Sequence, residues 1–462
     1  MKIFLLLLLC CVDCTTATEK PNFIIIFTDD HGYADLSCFG GDHVSTPHID
    51  KLASEGNRLT SFYVAAPVCT PSRAALMTGS YPKRVDLATG SNFGVLLAGD
   101  KKGLNPKEVT IADVLKEQGY ATALIGKWHL GDQPDFLPTR QGFDEFYGIP
   151  YSHDIHPYHP NQKKYNFPPL PFLDGEKVIE MDPNADFLTK RFTDKAVQFI
   201  EQNKDKPFFL YLPHPIPHKP LHITPETMKT VSPEIRAGLM KEAETGKINY
   251  NLRNKLFKEA ISEIDNSVKA IVDTLKKNGL DEKTMIIFST DNGPAVGKAT
   301  PLKGKKGSTY EGGMRVPTFV RWPGVISSGQ TCNELLTAMD LLPTITKLAG
   351  GNLPENKIDG KDIMEVLKGK AKSPHEFFFY HKGTNLEAVR SGPWKLRLSK
   401  LKPNALYNLD KDISEKKNVI KNHPEIVSSL LKAAQDFEKE ISANIRPAAF
   451  VDDPKSLSMS EK

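Results

Sequence analysis

The chain has 462 residues, 25% of them charged, and its formal net charge is +4. This balance excludes a dedicated nucleic-acid binder, which concentrates basic residues on one face. A chain of this length buries a large core without disulfides, and its 34 prolines and 32 glycines indicate many loops.

The first 18 residues predict a secretory signal peptide. Lys2 precedes a short apolar block, and small residues surround Thr16 and Thr18. The block is too short to span a membrane. No later run is long and apolar enough to do so, and we therefore expect an exported protein without a membrane span.

The cysteine pattern argues against a disulfide scaffold. Three of the six cysteines lie in the signal segment, which leaves Cys38, Cys69 and Cys332. Cys38 and Cys332 either pair or stay free, and the sequence does not decide between the two. The chain contains no Asn-x-Ser/Thr sequence, so we expect no N-linked glycans.

Apolar strand-like runs alternate with amphipathic helical stretches up to about residue 350. The predicted strands are residues 22–30, 121–128, 207–214 and 284–292, and the acidic and amide residues stand at the ends of the first and the last run. The predicted helices are residues 109–120, 186–203 and 256–280. This alternation is typical of an α/β protein with a mostly parallel sheet and helices on both faces.

The pattern changes after about residue 350. Residues 350–360 read as a linker, residues 376–398 alternate like antiparallel strands, and residues 423–441 form an amphipathic helix. We therefore predict a catalytic domain at residues 19–350 and a smaller α+β domain at residues 351–462.

Two predicted strands end in almost the same residues. Asp29 and Asp30 end the first strand, and Asp291 and Asn292 end the last one. Ligands bind outside the carboxyl ends of strands in open parallel sheets, so we expect these side chains to meet. Three carboxylates need a cation, and an all-oxygen set favours calcium or magnesium over zinc. Either pair alone is also typical of a turn, but the repetition at two strand ends favours a metal site.

Cys69 lies in the run Pro-Val-Cys-Thr-Pro-Ser-Arg. Thr70 can cap a helix and Pro71 suits a first turn, so we expect a helix to begin directly after Cys69. A thiolate or an anion is stabilised at such a position, and Arg73, four residues on, shares its face. A free cysteine usually packs as a small apolar residue, but this setting indicates a functional one.

Basic side chains follow two further strands. Lys127 and His129 are two residues apart and so share one face of an extended strand end. They suit an anion and a proton-transfer group, although a surface lysine and a hydrogen-bonded histidine explain them equally well. His214 and His218 lie at and after the end of the strand at residues 207–214.

Two loops add candidates of lower specificity. A glycine-rich loop offers three lysines either to an anion or only to solvent: Lys303, Lys305 and Lys306. The Pro-rich segment 153–172, for which we predict neither strand nor helix, carries His153, His156 and His159. Their spacing fits no standard zinc pattern, so we expect them at the rim of the site.

These motifs resemble those of the type I sulfatases, and among them the arylsulfatase A-like sulfatases. Residues 67–79 fit the family's Cys-x-Pro-Ser-Arg signature, and residues 119–131 fit its second signature. Further segments fall in the family's order: residues 27–36, 148–154, 289–294 and 306–317. The resemblance runs from about residue 20 to the C-terminal helix, and it implies an alkaline-phosphatase-like mixed sheet sandwiched by helices.

The resemblance also implies hydrolysis of sulfate esters. Cys69 would be oxidised to Cα-formylglycine by the formylglycine-generating enzyme, which reads the Thr-Pro-Ser-Arg step in the unfolded chain. One hydroxyl of the hydrated aldehyde would attack sulfur and expel the alcohol. The other would then lose a proton and drive sulfate out.

The family's metal ligands carry over to this chain by position. Calcium, with magnesium as the alternative, would be held by Asp29, Asp30, Asp291, Asn292 and the modified Cys69. The ion would act as a Lewis acid, and Arg73 would steady the hydrate and the metal carboxylates.

The remaining roles concern sulfate and protons. Lys127 and Lys306 would neutralise sulfate oxygens, and Ser152 would donate a hydrogen bond to them. His129 would help to deprotonate the second hydroxyl, and His218 would protonate or orient the leaving oxygen. His218 and Lys306 match the family positions better than His214, Lys303 and Lys305 do.

Other readings stay open at this point. A phosphodiesterase or phosphonate hydrolase could use the same scaffold, and a secreted binding protein could use it without turnover. Steroid, lipid, aryl and glycan sulfates are all compatible as substrates, and so is a homo-oligomer. We expect an extracellular or lysosomal location.

Overall fold

The computed structural model of the protein describes residues 20–245 and 248–459. The predicted signal peptide lies outside these residues. In the described part of the chain, no helix combines the length and the apolar composition that crossing a membrane requires. The fold is α/β, with a large mixed sheet between helices and a small antiparallel sheet near the C-terminus, as predicted.

The strands, in chain order, are β1 Asn22–Thr28, β2 Asn57–Leu59, β3 Phe62–Tyr63, β4 Lys102–Gly103, β5 Ala121–Lys127, β6 Glu145–Ile149, β7 Pro171–Asp174, β8 Lys177–Met181, β9 Phe208–Pro213, β10 Thr284–Thr290, β11 Thr318–Arg321, β12 Gln330–Cys332, β13 Leu336–Thr337, β14 Phe378–Lys382, β15 Asn385–Ser391, β16 Trp394–Ser399, β17 Lys402–Asn408 and β18 Ala449–Phe450.

The α-helices are α1 Pro47–Ser54, α2 Cys69–Thr78, α3 Ile111–Glu117, α4 Gln162–Tyr165, α5 Leu188–Gln202, α6 Pro225–Met228, α7 Pro233–Thr245, α8 Tyr250–Arg253, α9 Phe257–Lys277, α10 Glu311–Met314, α11 Leu341–Leu348, α12 Met364–Leu367 and α13 Pro424–Ala443.

Within the described residues the large sheet has ten strands, in the order β12-β2-β11-β10-β1-β9-β5-β6-β7-β8. The centre, from β10 to β6, is parallel, while β11 pairs antiparallel with β10, and β7 pairs antiparallel with β6. Because β10, β1, β9 and β5 run in the same direction, the residues that follow them meet at one edge.

Alternating apolar side chains explain why β1 is buried on both faces. Phe23, Ile25 and Phe27 belong to a core shared with α2, α3 and α11. Ile24 and Ile26 belong to a second core shared with α1, α5 and α9. An uninterrupted apolar run is typical of a parallel strand covered by helices on both sides.

The small sheet, β14-β15-β16-β17, is an antiparallel meander against which α13 packs. Most of its buried apolar residues, including Phe378 and Leu396, belong to the same core as Phe23 and Leu76, while Ala405 and Tyr407 belong to a separate small cluster. The apolar interior is therefore continuous across residue 350, and the domain boundary there stays a prediction.

Three local details differ from or add to the sequence analysis. Helix α2 begins at Cys69, with Val68 as its N-cap, so the prediction that Thr70 caps it was wrong. Segment 153–172 is not free of regular structure, because α4 forms one helical turn there and β7 begins at Pro171. Cys38 and Cys332 are both free thiols.

Candidate active site

The ends of β1 and β10 bring four acidic and amide side chains together. Thr28 and Thr290 are paired in the sheet, so Asp29 and Asp30 lie beside Asp291 and Asn292. The Asp30 backbone N–H donates to Asp291 Oδ1 (3.1 Å), and Asn292 Nδ2 donates to Asp30 Oδ1 (2.6 Å). Asp30 has a positive φ of 66°, a strained conformation for a non-glycine residue. All four side chains are completely buried.

Cys69, the first residue of α2, faces this group. Its Sγ lies 3.5 Å from Asp29 Oδ1 and 3.5 Å from Lys306 Nζ. Burial raises the pKa of the Cys69 thiol well above its usual value, and the Asp29 carboxylate adds to the rise. The surroundings therefore keep the thiol protonated.

Thr70 is used for positioning instead of capping. Its hydroxyl donates to the His129 carbonyl (3.1 Å) and accepts from the Leu96 N–H (3.1 Å). The start of α2 is thus tied to the segment after β5 and to the loop that contains Leu96.

Three cations surround the carboxylates. Arg73 donates through Nε (3.1 Å) and Nη2 (2.8 Å) to Asp291 Oδ2, and Lys127 contacts Asp29 Oδ2. Lys306 Nζ lies 2.7 Å from Asp30 Oδ1. Burial alone would raise the pKa of Asp29, but Lys127 and then other cations lower it well below its usual value. For Asp291, burial and the Asp29 charge raise the pKa to about 6 despite Arg73.

The residues present fit a hard divalent cation. Ligand atoms of Asp29, Asp30, Cys69 and His218 lie within 4.8 Å of one another. Asn292 Oδ1 is buried without a hydrogen-bond partner, which is costly unless a cation or donor meets it. Repulsion between Asp29 and Asp291 is relieved by positive charge, and oxygen donors favour calcium or magnesium. Asp291 is not among these four residues; its carboxylate accepts from the Asp30 N–H and from Arg73, and its place in the metal site stays a prediction.

The two candidate histidines have different hydrogen-bond partners. His129 Nε2 is 3.0 Å from the Leu96 carbonyl, and its Nδ1 is buried without a partner. Burial, and then Lys127, lower the pKa of His129 well below its usual value, so its ring is neutral. His218 Nε2 lies 3.7 Å from Asp30 Oδ2, and its Nδ1 is 2.7 Å from the Lys219 carbonyl.

The alternatives to the preferred residues lie elsewhere. His214 bonds to Ser267 of α9 (3.1 Å), and Lys305 Nζ donates to the Gly297 carbonyl (3.2 Å). Lys303 Nζ donates to the Glu415 carbonyl (3.1 Å). Ser152, 3% exposed, follows β6, and its hydroxyl is close enough to Asp154 to help lower the pKa of that carboxyl, although the described residues offer it no hydrogen bond of ordinary geometry.

The loop that carries Lys306 is anchored by the C-terminal part of the chain. Besides Lys303, the Ser414 hydroxyl donates to the Pro301 carbonyl (2.7 Å). The Glu311 N–H donates to Glu415 Oε2 (2.7 Å). Residues 414–415 therefore hold the loop on both sides of Lys306.

Sequence reasoning missed Asp154. Its Oδ1 lies 4.0 Å from His218 Nδ1. Burial would raise the pKa of Asp154, but His218 and His153 lower it. Its place in the Ser-His-Asp run that contains Ser152 was the available signal.

Comparison with known proteins decides the family. The Sulfatase family model matches residues 21–351. A second model, "N-sulphoglucosamine sulphohydrolase, C-terminal", matches residues 305–440. The chain belongs to the sulfatase family. The expected resemblance to arylsulfatase A-like sulfatases is confirmed, and the protein is a sulfuric ester hydrolase.

Individual sulfatases are similar over most of the chain. Arylsulfatase A of Homo sapiens is 34% identical, over 92% of this chain and 89% of its own. Steryl-sulfatase of Homo sapiens is 34% identical, over 82% of this chain and 75% of its own. The structure of Ps i-CgsB in complex with k-i-k-neocarrahexaose has a TM-score of 0.76 at 32% identity, covering 92% of this chain and 94% of that one.

Proposed function

We propose that this sulfatase hydrolyses its substrates with a Cα-formylglycine made from Cys69 by a formylglycine-generating enzyme of the secretory pathway. The main observation that supports this proposal is the position of Cys69 in the acidic cluster. Its Sγ lies 3.5 Å from Asp29 Oδ1 and 3.5 Å from Lys306 Nζ. The Thr-Pro-Ser-Arg step that follows supports the modification. The modified side chain supplies the nucleophilic oxygen.

We also propose that the resident ion is calcium, with magnesium as the alternative. Asp29, Asp30, Asp291, Asn292 and residue 69 would hold it. When bound, the ion would supply a Lewis acid beside the sulfate group. Arg73 fixes the orientation of Asp291 by two hydrogen bonds and donates to the Lys127 carbonyl (3.1 Å), which links two of the strand ends.

The remaining polar residues bind sulfate and move protons. Lys127 and Lys306 bring two ammonium groups to the cluster, where they can neutralise sulfate oxygens. The Ser152 hydroxyl, which forms no hydrogen bond of ordinary geometry within the described residues, can donate to sulfate. His129 is neutral, and its free Nδ1 can accept a proton; His218 is the proton donor to the leaving oxygen.

We propose that the protein enters the secretory pathway and works outside the cell or in the lysosome. The apolar N-terminal 18 residues support this location. The names of the similar sulfatases span aryl, steryl and glycan compounds, so we take a sulfated small molecule, lipid or glycan as the substrate. A homo-oligomer is compatible with this function.

The direct test is the intact mass of the peptide that contains residue 69, from protein produced in a secretory host. We expect the mass decrease that accompanies conversion of –CH2SH to –CHO. An unmodified thiol in an active preparation would contradict the proposed nucleophile.

A second test separates sulfate from phosphate chemistry. The same sample should hydrolyse nitrocatechol sulfate faster than bis(nitrophenyl) phosphate. Preference for the phosphate diester would favour the phosphodiesterase reading, and turnover of neither, with residue 69 modified, would favour a binding protein.

A further inference from the structure

Two loops contact residues of the candidate site. The loop at residues 91–96 reaches it through Leu96, whose carbonyl and N–H bond to His129 and Thr70. The loop at residues 152–167 starts beside His218, the residue that we assign to the leaving oxygen, since the His153 ring lies 5.7 Å from the His218 ring.

Aromatic side chains join the two loops. The Phe93 ring lies 6.3 Å from Tyr165, and Tyr165 lies 5.7 Å from His159. Phe93 is 50% exposed, and Tyr158, on the same loop as Tyr165, is 58% exposed. We call Phe93, Tyr158, His159 and Tyr165 the aromatic wall. Exposed aromatic side chains at the mouth of a site are typical of a binding surface.

The wall follows directly on the segment that contacts His218. The His159 N–H donates to the His156 carbonyl (3.0 Å), and three residues before His156 the His153 ring lies 5.7 Å from the His218 ring. His218 is the residue that we assign to the leaving oxygen, and Lys219 is its neighbour in the chain. A group attached to that oxygen would extend towards the wall.

Positive charge accompanies the rings. Lys163, Lys164 and Lys219 are exposed, and Lys164 Nζ lies 5.0 Å from the centre of the Tyr165 ring. Across residues 20–245 and 248–459, none of these three lysines forms an ion pair. Their ammonium groups are thus free to meet anions of a ligand.

The combination of charge and rings discriminates between substrate classes. An aryl or steroid monosulfate carries one anionic group, and Lys127 and Lys306 already meet it in the reaction centre. The additional lysines would then have no partner. A saccharide with several sulfate groups uses both features, since its sugar rings can lie on aromatic faces while its other sulfates pair with lysines.

We propose that the aromatic wall, with Lys163, Lys164 and Lys219, is a leaving-group subsite for a multiply sulfated oligosaccharide. This assignment rests on the proposed function, because it places the scissile sulfate at residue 69. It narrows the substrate class from sulfate esters in general to sulfated glycans.

The test measures competition against a small substrate. A heparin-derived and a carrageenan-derived hexasaccharide are used as inhibitors of nitrocatechol sulfate hydrolysis, each beside its desulfated form. We expect at least one sulfated form to bind about tenfold or more tighter than its desulfated form. We test two double variants, Phe93→Ala/Tyr165→Ala and Lys163→Ala/Lys164→Ala. Each should raise the Ki of that sulfated hexasaccharide about tenfold. The rise in Ki should be at least about fivefold larger than any rise in KM for nitrocatechol sulfate.

Matched controls separate the subsite from general effects. Phe450→Ala removes an equally exposed ring (53%) that covers Lys102, and Lys204→Ala/Lys206→Ala removes two exposed lysines ahead of the amino end of β9. These variants should leave Ki unchanged. Equal Ki values for the wild type and the wall variants would overturn the proposal. So would wall variants that weaken the binding of a steroid sulfate more than they weaken the binding of the hexasaccharides.

Failure of the proposed function gives a different result. If nitrocatechol sulfate is not hydrolysed, hexasaccharide binding is measured directly by calorimetry on the wild type and on the two wall variants. If the hexasaccharide binds in a sulfate-dependent way and the wall variants abolish this binding, the subsite is supported although the proposed activity is not. If no such binding is found, the subsite is overturned as well.

Discussion

The ammonium group of Lys395 lies 2.9 Å from the Glu311 carboxylate, and neither side chain has any exposed surface. Lys395 belongs to β16 of the small sheet, whereas Glu311 begins α10, five residues after Lys306. Glu415 completes the group, with its Oε1 3.0 Å from Lys395 Nζ. One buried cation therefore joins the C-terminal sheet to the loop that reaches the reaction centre.

Replacing Lys395 by Met should destabilise the protein strongly. The substitution removes the cation that Glu311 and Glu415 share and leaves Arg315 as the remaining ion-pair partner of Glu311. Removing one partner of a buried ion pair costs about 3–5 kcal/mol. Thermal and urea unfolding measure the loss. Lys368→Met, which removes an exposed pair with Glu365, is the control and should change stability little. Equal stability of the two variants would show that the buried pair contributes nothing.

Acid should weaken the same connection. Burial opposes ionisation of Glu311, but Lys395 and then Arg315 outweigh it and lower its pKa from 4.5 to about 2. Because the folded-state pKa is the lower one, ionised Glu311 stabilises the fold above about pH 4.5, and this contribution is lost as the pH falls towards about 2. Burial raises the pKa of Glu415, so ionisation of this carboxyl destabilises the fold, and its contribution to the pH dependence of stability is opposite to that of Glu311.

The difference between wild type and Glu311→Gln isolates this effect. We expect the variant to melt below the wild type at pH 7 and the gap to narrow between about pH 4.5 and pH 3. Melting curves over that range provide the measurement. A gap independent of pH would refute the assigned charge of Glu311.

Removing the side chain of residue 69 should abolish catalysis and spare the fold. Cys69→Ala should lower kcat for nitrocatechol sulfate by about 10⁴-fold or more, as expected for loss of a nucleophile. The melting temperature should stay within about 5 °C of the wild type, since only one buried sulfur is deleted. Retention of most of the rate would refute the nucleophile assignment.

Asp291→Asn should weaken calcium binding. It removes one of three carboxylate charges, and ligand charge sets calcium affinity, so we expect Kd to rise about tenfold or more. Calcium titration by calorimetry measures it. Asp273→Asn, an exposed position on α9, controls for the change in net charge and should bind as the wild type does. An unchanged Kd for Asp291→Asn would remove this residue from the metal site.

The strands and the acidic cluster could be predicted because their signals are local. The run Phe23–Phe27 is continuously apolar, and its length and the aspartates after it are visible in the sequence. Parallel pairing then brings Asp29 and Asp291 together. The same reasoning could not supply the partner of His129, since the Leu96 carbonyl is a backbone atom 33 residues away.

The start of α2 shows how a local signal can mislead. Thr70 and Pro71 resemble a cap and a first turn, but the helix begins one residue earlier at Cys69. The Thr70 hydroxyl is engaged by His129 and Leu96, so tertiary contacts decide its use. Helix α4 escaped prediction because a single turn of polar residues carries no apolar periodicity.

The anchoring of residues 301–311 by Ser414 and Glu415 bears on how this chain can be shortened. A truncation before β14 would leave β1 and β10, and so the aspartates that follow them, in place. It would remove Ser414 and Glu415, which hold the loop of Lys306. We therefore expect a chain shortened in this way to lose the contacts that position Lys306.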